Sequence, residues 1–345
     1  MKSVYSDRHH LHRGKKELFG GELVACFEKP ERADMILAEV KKRHLGEVLS
    51  PHIFDEDRLT AVHSPAYVAF LKSAWDEWTA SGETGDILPC FSPARDMRFD
   101  RVPEAIYPRV CYYSFDTTTT ITKGTWAAAK SSADVALTAR ALISAGAPSA
   151  FALCRPPGHH ASVDYFGGYC FFNNAAIAAQ ALRDDGAARV AVLDVDFHHG
   201  NGTQSIFYDR PDVYTASLHG DPAQNYPCFL GYADEKGRGE GEGCNANYPL
   251  PQGTDALSWF AALDQAMAGV RQYKADVLVV PLGVDTYEGD PISHSKLNGP
   301  DFLTMGEKLA TLGLPTLFVM EGGYAVEDIG INAVNVLEGF EQKLA

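Results

Sequence analysis

The chain has 345 residues, 46% hydrophobic and 22% charged, the balance of a globular protein with a sizeable core. Asp and Glu number 45 against 30 Lys and Arg, a net charge of −15, which argues against a nucleic-acid binder, whose affinity needs basic patches, and favours a cationic partner. No run of about 18 apolar residues exists, so no membrane span is expected, and the N-terminal MKSVYSDRHHLHRGKKEL lacks the apolar stretch of a signal peptide.

In chain order, the first distinctive segment is Ser81–Gly124, rich in Pro and aromatics with little periodicity. Its Phe91, Phe99, Tyr107, Tyr112, Tyr113 and Phe115 argue for a packed loop at a subunit interface, because loops this long are usually functional or disordered. A helix follows at Thr125–Ser144, a strand at Ala150–Leu153, a helix at Asn173–Asp185 stopped by Gly186, and strands at Val190–Val195 and Val213–Leu218. Gly220–Gly253 reads as a Gly/Asp/Glu-rich loop region. The remainder predicts a helix at Ala256–Gln272, a strand at Val277–Leu282, a helix at Pro300–Thr311 begun by proline and stopped by Gly313, a strand at Thr316–Met320 and a helix at Asp328–Gln342. The short apolar strands suit a sheet covered on both faces. The alternation predicts one α/β domain over 1–345: a three-layer wound sheet of mostly parallel strands with helices on both faces. Seven cysteines are dispersed without a CxxC pair, which predicts reduced thiols and a cytoplasmic setting.

Three segments end a strand with metal-site chemistry: CRPPGHH (Cys154–His160), VAVLDVDFHHGNGTQ (Val190–Gln204) and VVPLGVDTYEGDP (Val279–Pro291). In wound sheets ligands bind beyond the carboxyl ends of the strands. Residues i and i+2 share a side of an extended chain, so Asp194, Asp196 and His198 can point the same way. Asp196, His198 and Asp285 can then ligate one divalent metal with a position left open, as in catalytic zinc sites; iron(II), cobalt and manganese also suit such oxygen-rich ligands. His159 and His160 can serve as bases, with Asp194 and Asn201 as candidate partners. An Asp partner favours a charged imidazolium, whereas a neutral Asn leaves its histidine better able to take a proton. Glu321-Gly322-Gly323-Tyr324 ends the last strand, and Tyr324 can present its hydroxyl to a developing oxyanion.

Together RPPGHH, GGYCFFNNAAIAA (Gly167–Ala179), DVDFHHGNGTQ, SLH (Ser217–His219), GVD (Gly283–Asp285) and EGGY resemble the histone deacetylase family, with its arginase/deacetylase fold, over roughly residues 150–330. Asn201, where other members carry Asp, resembles the class II branch. KELFGGELVACFEKPERADMI (Lys16–Ile36) and the Ser81–Gly124 insert resemble bacterial acetylpolyamine amidohydrolases. The resemblance implies zinc held by Asp196, His198 and Asp285, and a carbonyl polarised by zinc and Tyr324. His160, paired with Asn201, would act as base, and His159, paired with Asp194, as electrostatic helper. It implies potassium near Asp194, Asp196, His198, Ser217 and Leu218, with a second site near Phe207 and Val213. Tyr169 and Tyr226 match aromatic walls, Gly168 a carbonyl facing the scissile N–H, and Glu17 a carboxylate for a distant ammonium. A homodimer formed through the insert would narrow the entrance to admit small cationic acetylated amines. Tyr107 and Thr118 stand where acidic residues are expected for longer polyamines, so acetylputrescine and acetylcadaverine suit as well as acetylspermidine. A protein or peptide lysine deacetylase with the same zinc chemistry is the alternative. A two-metal, arginase-like site would need another carboxylate ligand, and Asp285 is followed by Thr286-Tyr287-Glu288.

Overall fold

The computed structural model describes residues 1–94 and 96–344. Its strands are β1 (Lys2–Val4), β2 (Glu17–Phe19), β3 (Glu22–Val24), β4 (Val48–Leu49), β5 (Ser149–Ala152), β6 (Val190–Asp194), β7 (Val213–Gly220), β8 (Asn245–Leu250), β9 (Val277–Leu282) and β10 (Thr316–Met320). The helices are α1 (Glu31–Lys42), α2 (Asp57–Thr60), α3 (Pro65–Ala80), α4 (Ile106–Tyr113), α5 (Thr125–Ser144), α6 (Asn174–Asp184), α7 (Asn201–Phe207), α8 (Ala256–Tyr273), α9 (Gly299–Ala310) and α10 (Ile329–Leu344).

Eight strands pair in parallel in the order β4-β1-β5-β10-β9-β6-β7-β8. Alternation along each strand divides the core between the two faces. Ala150, Ala152, Val190, Val192, Val279 and Val319 pack with Phe70 of α3, Ala133 of α5 and Ile177 of α6. Phe151, Ala191, Leu193, Leu278, Val280 and Phe318 pack with Ile36 of α1, Leu263 of α8, Phe302 of α9 and Phe340 of α10. This is the arginase/deacetylase fold: a wound sheet with helices on both faces. Helix ends follow local chemistry. Asn173 caps α6 by accepting from the Ala176 amide, and Asn298 and Asp301 form a capping box on α9 with proline in its first turn. Gly186 and Gly313 follow α6 and α9 with φ of +107° and +66°.

Two regions differ from the sequence reading. Ser81–Gly124 is not loop throughout: Ile106–Tyr113 is helical, although its β-branched and aromatic residues carry weak helix propensity. Pro108 falls in its first turn, where a missing N–H costs little. Val110, Cys111 and Tyr113 are buried, which fixes the helix by packing, while Phe91 and Phe99 are exposed. Gly220–Gly253 ends in the strand β8, whose NANYPL sequence carries two Asn and a Pro. An edge strand paired on one side tolerates that composition, which hides it from an apolar-run search. The short strands β1 and β4 at the opposite edge, and the β2–β3 hairpin, gave no periodic signal either. Among the described residues no helix is long and apolar enough to cross a membrane.

Candidate active site

Because the sheet is parallel, the segments after β5, β6, β9 and β10 emerge on one edge. Asp196, His198 and Asp285 meet there, with ligand atoms all within 4.8 Å of one another and side chains almost wholly buried. His198 Nδ1 lies 2.9 Å from Asp285 Oδ2 and 3.3 Å from Asp196 Oδ1. A single N–H cannot serve both carboxylates well, whereas one cation between the three atoms satisfies all of them. Electrostatics point the same way. Burial, then Asp196, pushes the Asp285 carboxyl up to about 7. Burial opposes a charged His198, yet Asp196 and Asp285 raise it to about 10. A Cβ on Gly283 would lie 2.0 Å from Asp196 Oδ2, and one on Gly322 2.4 Å from Asp285 Oδ2, so glycine is what lets the two loops close on the cluster. The residues fit a divalent metal.

The two adjacent histidines face different partners. His159 Nδ1 is 2.9 Å from Asp194 Oδ2, and His160 Nδ1 is 2.6 Å from Asn201 Oδ1. Burial disfavours charge on both. Asp196 and Asp194 overrule it for His159, lifting it to about 10. His160 has no such rescue: burial, then the neighbouring His159 and His198, hold it well below the ordinary histidine value. One imidazole is thus kept charged and its neighbour neutral. Asn201 sits at the start of α7, and Glu321 Oε2 accepts the Gly158 and His159 amides at 2.6 and 3.1 Å, fixing the backbone that carries the pair.

Tyr324 reaches the same space from β10. Its ring lies under the Arg32 guanidinium, 4.7 Å from Cζ to the centroid, and its amide donates to Asp290 Oδ2 at 2.7 Å. Burial keeps the hydroxyl protonated, against the pull of Arg32. Asp290 is already occupied by the Tyr324 and Ile292 amides, so it is not a free ligand for a second metal. Arg32 also donates to the Gly323 and Glu321 carbonyls, and with Arg155 it encloses buried Glu28. Burial opposes that carboxylate, but Arg155 and Arg32 hold it down at about 2. Sequence reasoning missed Arg32, Glu28 and Asp290. The contacts of Arg32 with Gly323 and Glu321 span nearly the whole chain, and no spacing rule reaches that far.

A cavity of about 150 Å³ leads to this floor. It is lined by Glu17, Phe19, Thr118, His160, Gly168, Tyr169, His198, Tyr226, Ile292 and Tyr324. Drug-sized ligands occupy roughly 300–1,000 Å³, so the space suits a slender chain. Glu17 Oε1 accepts from the Tyr169 hydroxyl at 2.8 Å. Burial raises its carboxyl to about 7. Gly168 presses on His160: a Cβ there would stand 2.1 Å from the His160 ring. The Tyr226 hydroxyl donates to Asp116 Oδ2 at 3.0 Å.

Asp194 and Ser217 are cross-strand partners at the carboxyl ends of β6 and β7, with Leu218 next in β7. Val213 begins β7, four residues or about 13 Å back along the strand, and Phe207 ends α7. A larger cleft of about 670 Å³, lined by Tyr5, Phe54, Trp126, Lys130 and Asp134 among others, contains none of these residues. His9, His10 and Asp34 form another cluster, but the Arg155 guanidinium lies 3.5 Å from His9 Nδ1, where a metal-bound imidazole would carry its proton.

The model of the histone deacetylase domain matches residues 26–340. The chain belongs to the histone deacetylase family. Among members of that family it is closely related to bacterial acetylpolyamine amidohydrolases. It is 60% identical to acetylpolyamine amidohydrolase 1 of Pseudomonas aeruginosa over 342 residues, 99% of each chain. It is 50% identical to acetylpolyamine amidohydrolase of Mycoplana ramosa over 339 residues, 98% of this chain and 99% of the other. The crystal structure of acetylpolyamine aminohydrolase from Burkholderia pseudomallei superposes with a TM-score of 0.94 at 39% identity, covering 99% of both chains. The chain is therefore an amidohydrolase of this deacetylase family, and its buried Asp–His–Asp cluster is a candidate metal centre.

Proposed function

We propose that the protein is a zinc-dependent amidohydrolase that removes acetyl groups from small acetylated diamines and polyamines, releasing acetate and the free amine. The observation that carries this reading is one narrow cavity lined by the Glu17 carboxylate and by His160, His198 and Tyr324. Near relatives named for acetylpolyamines support the substrate class.

Asp196, His198 and Asp285 would hold the ion, which when bound supplies a Lewis acid for the acetamide carbonyl and lowers the pKa of water. Iron(II), cobalt and manganese also fit this donor set. Neutral His160 takes the proton of the attacking water through Nε2, its Nδ1 being held by Asn201. The Tyr324 hydroxyl donates to the oxyanion that develops on the carbonyl carbon's oxygen. His160 then returns a proton to the leaving amine, and charged His159 offsets negative charge beside it. The Gly168 carbonyl accepts from the scissile N–H, Tyr169 and Tyr226 flank the alkyl chain, and Glu17 meets the distant ammonium. Potassium would bind at the carbonyls of Asp194, Asp196, His198 and Leu218 with Ser217, and a second ion near Phe207 and Val213. Exposed Phe91, Met97, Phe99 and Val102 in the insert, with Phe229 nearby in the cleft that Phe99 lines, support a homodimer through that segment.

The test is a turnover panel of acetylputrescine, acetylcadaverine, the acetylspermidines, acetylspermine and an acetyl-lysine peptide, with and without a chelator. Fastest turnover of a small amine, abolished by chelation and restored by one equivalent of zinc, is expected. A preference for the peptide would replace this reading with a lysine deacetylase. Sedimentation of the same preparation as a monomer would remove the dimer.

A further inference from the structure

We propose that Asp116 is a positioning residue that sets the width of the alkyl channel by holding its two walls on one carboxylate oxygen. The proposal deepens the deacetylase reading and rests on it for its kinetic arm. Asp116 lies at the end of the insert, outside every motif that carries the chemistry. No Lys or Arg among the described residues pairs with it. Its carboxylate instead collects donors from three separate segments. Oδ1 accepts the Thr118 and Thr119 amides at 3.2 and 3.1 Å. Oδ2 accepts the Thr118 and Thr119 hydroxyls, both at 3.1 Å, the Gly168 amide at 2.6 Å and the Tyr226 hydroxyl at 3.0 Å.

These last two contacts come from two different loops that line the cavity. Gly168 and Tyr169 belong to one, and both have positive φ, +55° and +66°. A tyrosine in that region is strained and persists only when its surroundings hold it there. Two bonds do so: the Gly168 amide to Asp116, and the Tyr169 amide to Thr119 Oγ1 at 2.9 Å, a hydroxyl itself held by Asp116. Tyr226 belongs to the other, its ring edge-on to His160 at 5.1 Å between centroids. His160 is thus confined between two walls whose separation is fixed through Asp116 Oδ2. Only a carboxylate suits this place. It is acceptor-only with two oxygens, whereas an Asn of the same shape must turn its NH2 toward either the Thr118 and Thr119 amides or the Gly168 amide. One backbone donor is then left facing another, and a charge-assisted bond is lost.

Asp116→Asn in the metal-loaded protein tests this. Hydrogen exchange at the Gly168 and Tyr169 amides should quicken about tenfold, the equivalent of one hydrogen bond. The ratio of kcat/KM for a straight-chain over a branched-chain N-acetyl diamine should fall by a similar factor, because a looser channel no longer rejects the wider chain. That ratio is independent of how much enzyme is folded, so lost stability alone would not move it. In a Tyr226→Phe background the same substitution should change the ratio much less, since one wall is already released. Thr119→Val, which keeps the carboxylate, should move exchange at Tyr169 in the same direction. Faster exchange with an unchanged ratio, or equal effects in both backgrounds, would overturn the proposal. Faster exchange in Asp116→Asn, with a wild type that hydrolyses no acylated amine, would overturn the deacetylase reading and leave the brace standing.

Discussion

The floor of the site and its mouth are built differently. The floor residues follow strand ends, two to four positions after β6, β9 and β10 and seven or eight after β5, and those strands are locked in register by their neighbours. Groups mounted this way can be held to a fraction of an ångström. The rest of the lining, the mouth, is assembled from pieces remote in the chain: Glu17 on the β2–β3 hairpin, Thr118 at the end of the insert, Tyr169 after β5 and Tyr226 after β7. Hydrogen bonds across 152 residues (Tyr169 to Glu17) and 110 residues (Tyr226 to Asp116) hold it together. The difference separates two properties. On the proposed function the bond broken depends on the rigid floor and the molecule chosen on the loops, which meet the floor at His160.

That separation is sharpest at the two histidines. His160→Ala should lower kcat by about 10²–10⁴, the usual worth of a general base. It should do so by the same factor on every acylated amine, because the floor does not see the rest of the substrate. His159→Ala should cost less. The reverse order would mean that base and helper are exchanged, and a strongly substrate-dependent loss would mean that floor and mouth are not separable.

Tyr324→Phe should follow, with kcat down about 10²–10³ for one lost oxyanion donor. Metal content, read by mass spectrometry, should stay at the wild-type level, since Tyr324 holds no ligand atom of the Asp–His–Asp cluster. An active Phe variant would strip the hydroxyl of its proposed role.

How much could be read from the sequence divides along the same line. The order Asp194-Val195-Asp196-Phe197-His198 was legible because an extended chain places i and i+2 on one side, and the strand before it announces itself by an unbroken apolar run. The partners of His159 and His160 were already among the candidates, since Asp194 and Asn201 lie in the same short segment. Arg32 was not legible. Its sequence setting, one charged residue in the amphipathic helix α1, is that of a solvated side chain, yet it is buried against the Tyr324 ring. Asp116 was hidden for another reason. Its neighbours are four threonines, which read as a loop, and its importance comes from donors that two other loops bring to it. The β8 strand escaped because edge pairing supplies from the backbone what its side chains do not.

The smallest expected effect belongs to the mouth and tests whether Glu17 reads charge. Burial raises its carboxyl to about 7, so it is mostly protonated at pH 6 and mostly ionised at pH 8. An ammonium group is attracted only to the ionised form. The KM of a cationic acetylated diamine should therefore fall as pH rises across that interval, by less than about tenfold for one partly screened pair. It should be flat for Glu17→Gln, and an uncharged N-alkylacetamide should be insensitive in both proteins. Stability moves the opposite way. The unfolded carboxyl releases its proton near its ordinary value of 4.5, and the folded one holds it to about 7. Between those values the native state carries the extra proton, so rising pH weakens folding in the wild type, and the Gln variant loses that slope. A KM that fell with pH in the Gln variant as well would take the ammonium-binding role away from Glu17.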